Sequence, residues 1–346
     1  MSATAASAAY LGATEGMAVF ERSDRALLSV AGKAPAQMLS GILTGVIPGP
    51  PTVVEGDVHG GTATYHAVLT PKGKMISDLW ALLLGDEEAI GFLLDVPSAG
   101  HEGLAAHLAK FLPPRFARVR ELGAERASLG VVGPKAAAAL SKLALGLRVD
   151  PEWLERCAEG EWRCAGSPAS GLVVARTEDV WPLAWIVYGP AEPVAALHRA
   201  LVGEGAIEGD SEAWTTLRVE AGRPAFGPDM DHETLPPEAG IVDRAIDHGK
   251  GCYTGQEVIV RIRDRGHVNR ELRRLALGEA TLPEPGTELR AADGSGKVVG
   301  TVTSSVHSPR AGGVLALARV RREAESVLLG DSRIDVPLGF PEPLAR

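Results

Sequence analysis

Cysteine is scarce in this chain: Cys157, Cys164 and Cys252 are the only three in 346 residues. An odd, low count argues against a disulfide framework and suits a reducing compartment. Long apolar runs are lacking too, and no stretch approaches the ~18 residues a membrane-spanning helix needs. The first residues, MSATAASAAYLGATEGMAVF, have neither the basic start nor the continuous apolar core of a signal peptide. Net positive charge is also missing. The formal charge of −9 argues against direct RNA binding, which draws on clustered Lys and Arg. These absences predict a cytoplasmic protein with no membrane partner.

What is present is a chain longer than the usual single-core domain, so two or more structural units are expected. RALLSVAG (25–32) reads as a strand, followed by a helical stretch in which Met38, Leu39, Ile42 and Leu43 share a face. TATYHAVLT, DLWALLLG and AIGFLLDV read as successive strands, and a helix carrying Leu104, Leu108, Phe111 and Leu112 follows. A second round begins near Ala127. SLGVVGP is strand-like, a helix opens after Gly133-Pro134, GLVVAR and LAWIVYG form a hairpin, and Val194, Leu197 and Leu201 mark another helix. Trp214, Leu217 and Ala221 predict a helix ending at Gly222, and the chain from there to Gly249 reads as irregular. Beyond Arg274 the texture changes to short strands, RLALG, TELRA, KVVGTVTSSV, VLALARV and SVLLG, which predict a small β-barrel or sandwich. The fold class is therefore α+β, two rounds of strands and helices without regular βαβ alternation, divided into residues 1–268 and 269–346.

Three stretches carry polar residues that a bland loop would not need. In KGKMISDL (72–79), Asp78 follows a Lys-Gly-Lys turn and reads either as a solvated carboxylate at a strand start or as a site residue. In EAGRPAFGPDMDHETLPPEAG (220–240), Asp229, Asp231, His232 and Glu233 match neither a calcium loop nor a helical zinc pattern. Glu238 follows Pro236-Pro237, which fix the backbone, and a carboxylate so presented can accept two parallel hydrogen bonds from an amidine-like edge. The plainer reading is a surface loop glutamate.

The third stretch is KGCYTGQE (250–257). Thr254 and Glu257 have capping-box spacing and predict a helix from Gly255 to Gly266. Cys252 would then precede a helix N-terminus, with Lys250 two residues away, and both would favour a thiolate. The other reading is a small buried hydrophobe, as most free cysteines are. Cys157 and Cys164 lack metal-pair spacing and read as structural. Residues 250–274 hold seven Lys or Arg against three acids, a locally basic segment in an acidic protein.

KGCYTGQE, followed by Arg261, Gly266 and Arg270, resembles the signature of the YgfZ family of folate-binding proteins, relatives of the glycine-cleavage T-protein. GKAPAQMLSGILTG, LTPKGKMISDL, LRVEAGRPAFG, LPPEAG, KVVGTVTSS and ALARV fall in the family's order, so the resemblance covers nearly the whole chain. It implies a T-protein arrangement of interlocked α+β subdomains with a small C-terminal β-barrel. It also implies tetrahydrofolate, or a one-carbon derivative, in a central opening, and no stably bound metal. By the same resemblance Glu238 would grip the pterin ring, Asp78 would lie near the reactive folate nitrogens, and Lys250 and Arg261 would belong to the folate site. The octet residues Lys250, Gly251, Cys252, Tyr253, Gly255, Gln256 and Glu257 would form the family motif, with Cys252 its hallmark. The implied role is assembly or repair of iron–sulfur clusters in client proteins, touching tRNA thiolation indirectly, as an accessory factor without turnover. Two departures pull apart. Ser77-Asp78 keeps one acid of the two common in the T-protein, which leaves aminomethyl or methyl transfer open, while the T-protein has no counterpart of Cys252. A third reading is a binding module for RNA or an acidic partner through Arg261, Arg263 and Arg265.

Overall fold

The computed structural model describes residues 6–85 and 91–344. Ala89 and Ile90, read as the start of a strand, and Met1 to Ala5 lie outside the described residues. Two antiparallel-rich sheets form the first part of the chain. The five-stranded sheet runs Thr64–Leu69, Met75–Leu83, Phe92–Pro97, Arg25–Ala31, Arg118–Glu121. The eight-stranded sheet runs Ile207–Gly209, Ala18–Glu21, Arg126–Val132, Ala184–Pro190, Val173–Thr177, Glu161–Ala165, Val58–Thr62, Thr52–Glu55.

The two rounds read from the sequence are interlocked rather than consecutive. Ala18–Glu21, Val58–Thr62 and Thr52–Glu55, from the first round, pair into the sheet of the second. These three strands were not legible beforehand. Thr52–Glu55 is exposed along its whole length and Val58–Thr62 contains Gly60 and Gly61, so neither shows an apolar alternation.

Strand Met75–Leu83 shows how the layers are built. Successive side chains point to opposite faces. Leu79 and Ala81 join Leu28, Leu94, Leu104 and Leu108 beneath helix Ser98–Phe111. Trp80 and Leu82 face the other way, into a core shared with Trp162, Ala175, Ile186 and Tyr188 of the eight-stranded sheet. Both faces of this strand are therefore buried, and any polar residue on it is taken out of water.

Two expectations need correcting. The helix of residues 38–43 is confined to Pro35–Ser40, because Leu43 bridges to Val68 and the Thr44 hydroxyl bonds to the carbonyls of Ala67 and Ala245, drawing the chain out of the helix. The stretch 222–249 contains two single-turn helices, Pro236–Ala239 and Val242–Ala245.

The C-terminal part is a six-stranded curled sheet, in the order Arg270–Gly278, Gly313–Arg321, Val298–Ser308, Glu288–Ala291, Ser326–Leu329, Ser332–Asp335. It is a half-barrel. Its dock on the rest of the chain is a buried polar knot. Asp229, fully buried, pairs with Arg218 of helix Ser211–Glu220 at 2.6 Å and accepts from the Thr303 and Ser304 hydroxyls at 2.6 and 2.7 Å. Arg319 reaches back to Asp231 at 2.7 Å.

Removing one member of a buried ion pair leaves the other uncompensated, at about 3–5 kcal/mol. Asp229→Ala should lower the urea midpoint accordingly, while Asp229→Asn, which keeps the hydroxyl partners, should lose less. Equal losses in the two variants would contradict this account of the knot.

Candidate functional site

The face of the five-stranded sheet turned toward the eight-stranded sheet carries a row of polar side chains. Register places them together: Tyr65 lies opposite Trp80, Ala67 opposite Asp78, and Trp80 and Leu27 both opposite Asp95. Arg25, two residues before Leu27, shares that face. Arg25 Nε donates to Asp95 Oδ1 at 2.6 Å, and from the facing sheet the Tyr188 hydroxyl donates to Asp95 Oδ2 at 2.8 Å. The Tyr65 hydroxyl donates to Asp78 Oδ2 at 2.5 Å.

A second guanidinium closes the cluster from helix Val242–Ala245. Arg244 lies 4.4 Å over the Tyr65 ring and 5.0 Å over the Trp80 ring. It donates to Asp179 at 2.5 Å and to Glu159 at 2.9 Å. Trp80 Nε1 also donates to Asp179, at 3.3 Å.

Asp78 is the unusual member. It is 5% exposed, and its Oδ1 is buried with no hydrogen-bond partner. Burial pushes its carboxyl above the ordinary range, against the pull of Arg25, the Tyr65 hydrogen bond and Arg244. Asp179 goes the other way: burial would raise it, but Arg244 holds it below the usual carboxylate range. Burial likewise raises Tyr65, with Asp78 adding to it. Two carboxylates with environments pushed apart are what acid–base chemistry needs. The reading of Asp78 as a solvated group is therefore overturned, because its strand is covered on both faces.

The octet has a different job. Lys250 Nζ donates to the carbonyls of Leu43 and Gly45 at 2.6 and 2.9 Å. The same turn is held by His66, whose Nδ1 accepts from the Gly45 N–H at 2.9 Å, and burial lowers this imidazole to about 3, so it is neutral. The helix runs Gln256–Arg265, with Gly255 as its N-cap at φ +84°. A Cβ on Gly255 would stand 2.6 Å from the Thr70 carbonyl oxygen, so only glycine fits.

This geometry corrects the capping-box expectation. The left-handed turn at Gly255 takes the Thr254 hydroxyl away from the helix, toward the Gly41 carbonyl, and Glu257 is exposed. Cys252 thus lies four residues before the first helical residue, and the Lys250 ammonium is engaged by backbone carbonyls. Cys252 is nevertheless exposed, whereas Cys157 and Cys164 are buried, and burial pushes both of those thiols up to about 11.

Glu238 sits in helix Pro236–Ala239, and its Oε2 accepts from the Leu235 N–H at 2.9 Å. One oxygen is thereby anchored. Asp78 bonds to Tyr65 and Glu238 to the Leu235 N–H rather than to one another, and Arg261 is exposed on its helix. Of the seven basic residues in 250–274, Lys250 faces inward, Arg273 is buried beside Glu271, and Arg274 donates to the Glu220 carbonyl. Arg263 pairs with Asp264 at 2.6 Å. The basic face is thinner than its composition suggests. The acids Asp229, Asp231 and Glu233 are engaged by Arg218, Arg319 and Lys74, and no group of three or more potential metal ligands stands together among the described residues.

Sequence reasoning missed Arg25, Asp95, Asp179, Tyr188 and Arg244. The available signal was a charge inside an apolar strand: Asp95 in FLLDVP has Leu on one side and Val on the other.

Because Asp78 holds its proton more readily folded than unfolded, its contribution to stability falls as pH rises through its folded pKa. Asp78→Asn should therefore raise the thermal midpoint at pH 8 by a few degrees, on the order of 2 °C per kcal/mol for a chain of this size. The gain should shrink at pH 4. A midpoint at pH 8 equal to or below that of the parent would contradict the raised carboxyl.

Residues 4–250 match the GCVT N-terminal domain, and residues 270–337 match the glycine cleavage T-protein C-terminal barrel domain. The chain is 30% identical to an aminomethyltransferase of Rubrobacter xylanophilus over 288 residues, 81% of this chain and 73% of the relative. It is 28% identical to an aminomethyltransferase of Corynebacterium jeikeium over 293 residues, 77% of this chain and 71% of that one. The crystal structure of glycine cleavage system aminomethyltransferase T from Bartonella henselae superposes with a TM-score of 0.77 at 21% identity, covering 96% of this chain and 88% of the other. That likeness shows the shared fold, interlocked sheets with a curled half-barrel. The chain belongs to the glycine cleavage T-protein family.

Proposed function

We propose that this chain is a tetrahydrofolate-binding protein of the YgfZ type that serves the assembly or repair of iron–sulfur clusters in client enzymes. The observation that carries this reading is the state of the octet: Lys250, Tyr253 and Gly255 are fastened to neighbouring segments, while Cys252 alone among the three cysteines is exposed. A rigid base that presents one thiol suits transient contact with a cluster or with a client cysteine. Stable holding is not expected, since clusters are usually bound by four ligands. The division at 268/269 would leave folate binding to the first part and docking to the half-barrel.

The Asp78 cluster fits a folate. Its unpartnered, buried Oδ1 is an acceptor awaiting a ring N–H, and Glu238 keeps one oxygen for a pterin edge. Arg261, exposed, and the third donor of Lys250 are the cations available to the carboxylate tail. Tetrahydrofolate, when bound, would supply the nitrogens that carry a one-carbon unit. Asp78 would accept that N–H at Oδ1 and orient the ring, with Tyr65 fixing the other oxygen.

A second reading, aminomethyl or methyl transfer, is favoured by that same Asp78, whose burial lets its carboxyl keep a proton to higher pH than an ordinary aspartate.

Calorimetric titration with tetrahydrofolate should give binding weakened tenfold or more, about 1.4 kcal/mol, in Glu238→Ala and in Asp78→Asn. Cys252→Ser should bind folate as the parent does yet fail to restore a cluster enzyme in depleted cells; full rescue would remove the thiol role. For the transferase reading, purified protein should form methylenetetrahydrofolate from an aminomethyl or N-methyl donor, and Asp78→Asn should abolish it. Absence of turnover with every such donor would count against transfer.

A further inference from the structure

Beside the Asp78 cluster, a cavity of about 420 Å³ opens between strand Arg25–Ala31, strand Arg126–Val132 and helix Ala191–Gly203. Arg22, Arg25 and Arg126 line it; Tyr65, Asp78, Asp179 and Arg244 do not. Arg25 is already matched by Asp95. The other two are not matched in this way.

Arg126 is 7% exposed and gives one hydrogen bond, from Nη1 to the Ala169 carbonyl at 2.7 Å, while its Nε and Nη2 have no hydrogen-bond partner. Burial pushes this guanidinium below its ordinary value. Arg22 is 8% exposed and lies 4.6 Å over the Trp214 ring. Its Nε and Nη1 have no hydrogen-bond partner; the largely exposed Asp24 is 3.8 Å away, and the Arg22 charge also acts on the buried Asp179.

A buried guanidinium with unmet donors is unfavourable unless an anion satisfies it. Two of them on one cavity wall are difficult to explain by packing. The remaining wall is mostly apolar, with Leu27, Leu129 and Val194, and the acids Glu21 and Glu121 are exposed. The volume lies within the range of small-molecule sites, which combine apolar walls with a few placed polar groups.

We propose that this cavity is a second ligand site, taking a small molecule with a carboxylate or phosphate headgroup on an apolar body. Arg22 and Arg126 receive the headgroup; Leu27, Leu129 and Val194 receive the body. The cavity adjoins the folate cluster through Arg25, which lines it and pairs with Asp95. It does not depend on the folate reading.

The test is isothermal titration of the full chain with phenyl phosphate, benzoate and the neutral benzyl alcohol. Saturable binding of phenyl phosphate, of benzoate or of both is expected, the responding probe identifying the headgroup, with none for benzyl alcohol. Affinity should fall at least tenfold in Arg22→Gln and in Arg126→Gln. Ala195→Phe, which fills the cavity and keeps both arginines, should have the same effect, so the result does not rest on the charge variants folding. Saturating tetrahydrofolate should leave anion binding unchanged. No saturable binding of either anion, or equal affinity in all three variants, would overturn the proposal. So would displacement by tetrahydrofolate, which would give the cavity to the folate's own tail.

Discussion

The buried ion pair of Arg25 with Asp95 holds the centre of the molecule together. Its 2.6 Å contact lies on one sheet, and the Tyr188 hydroxyl from the facing sheet completes it at 2.8 Å. Burial alone would lower the Arg25 guanidinium, and Asp95 beside it raises it above its ordinary value instead. Once that pair is in place, the space between the sheets can hold further charge. Asp78 then experiences two opposed influences, burial that favours its neutral form and the nearby guanidinium groups of Arg25 and Arg244 that favour its ionised form. A carboxyl poised between these is suited to hold or release a proton, and one unpartnered oxygen leaves it able to accept a ligand hydrogen.

The same logic of paired charge fastens the peripheral parts. Asp229 and Arg218 seat the half-barrel on helix Ser211–Glu220, with Thr303 and Ser304 filling the remaining acceptor sites. Lys250 and the neutral His66 secure the turn at Gly45, and Gly255 lets the following helix approach the Thr70 carbonyl. The octet is thus a clamp as well as a motif. Its cysteine is the part that the clamp leaves exposed.

The path from sequence to site was uneven. Most strands with an apolar run were legible, because burial of one or both faces demands such runs: Arg25–Ala31, Met75–Leu83, Ala184–Pro190 and Gly313–Arg321 all fall where the pattern places them. Thr52–Glu55 was not, since an exposed edge strand needs no apolar alternation. Asp78 and Glu238 stood out through their local context, but their environments did not. Nothing in KGKMISDL says that both faces of its strand are covered, and nothing in TGQE says that Gly255 turns left-handed against the carbonyl of Thr70, far back in the chain.

Local patterning by itself determined the α+β class and the change of texture beyond Arg274, because periodicity and turn residues are properties of neighbours along the chain. Which charges meet was decided only in three dimensions. Arg25, Tyr65, Asp78, Asp95, Asp179, Tyr188 and Arg244 come from strands, a loop and a helix spread over more than two hundred residues, and their pairing depends on sheet register and on two sheets closing face to face. Protonation follows from that pairing and burial, since the field at a carboxyl is set by the charges packed around it and by the water excluded from it.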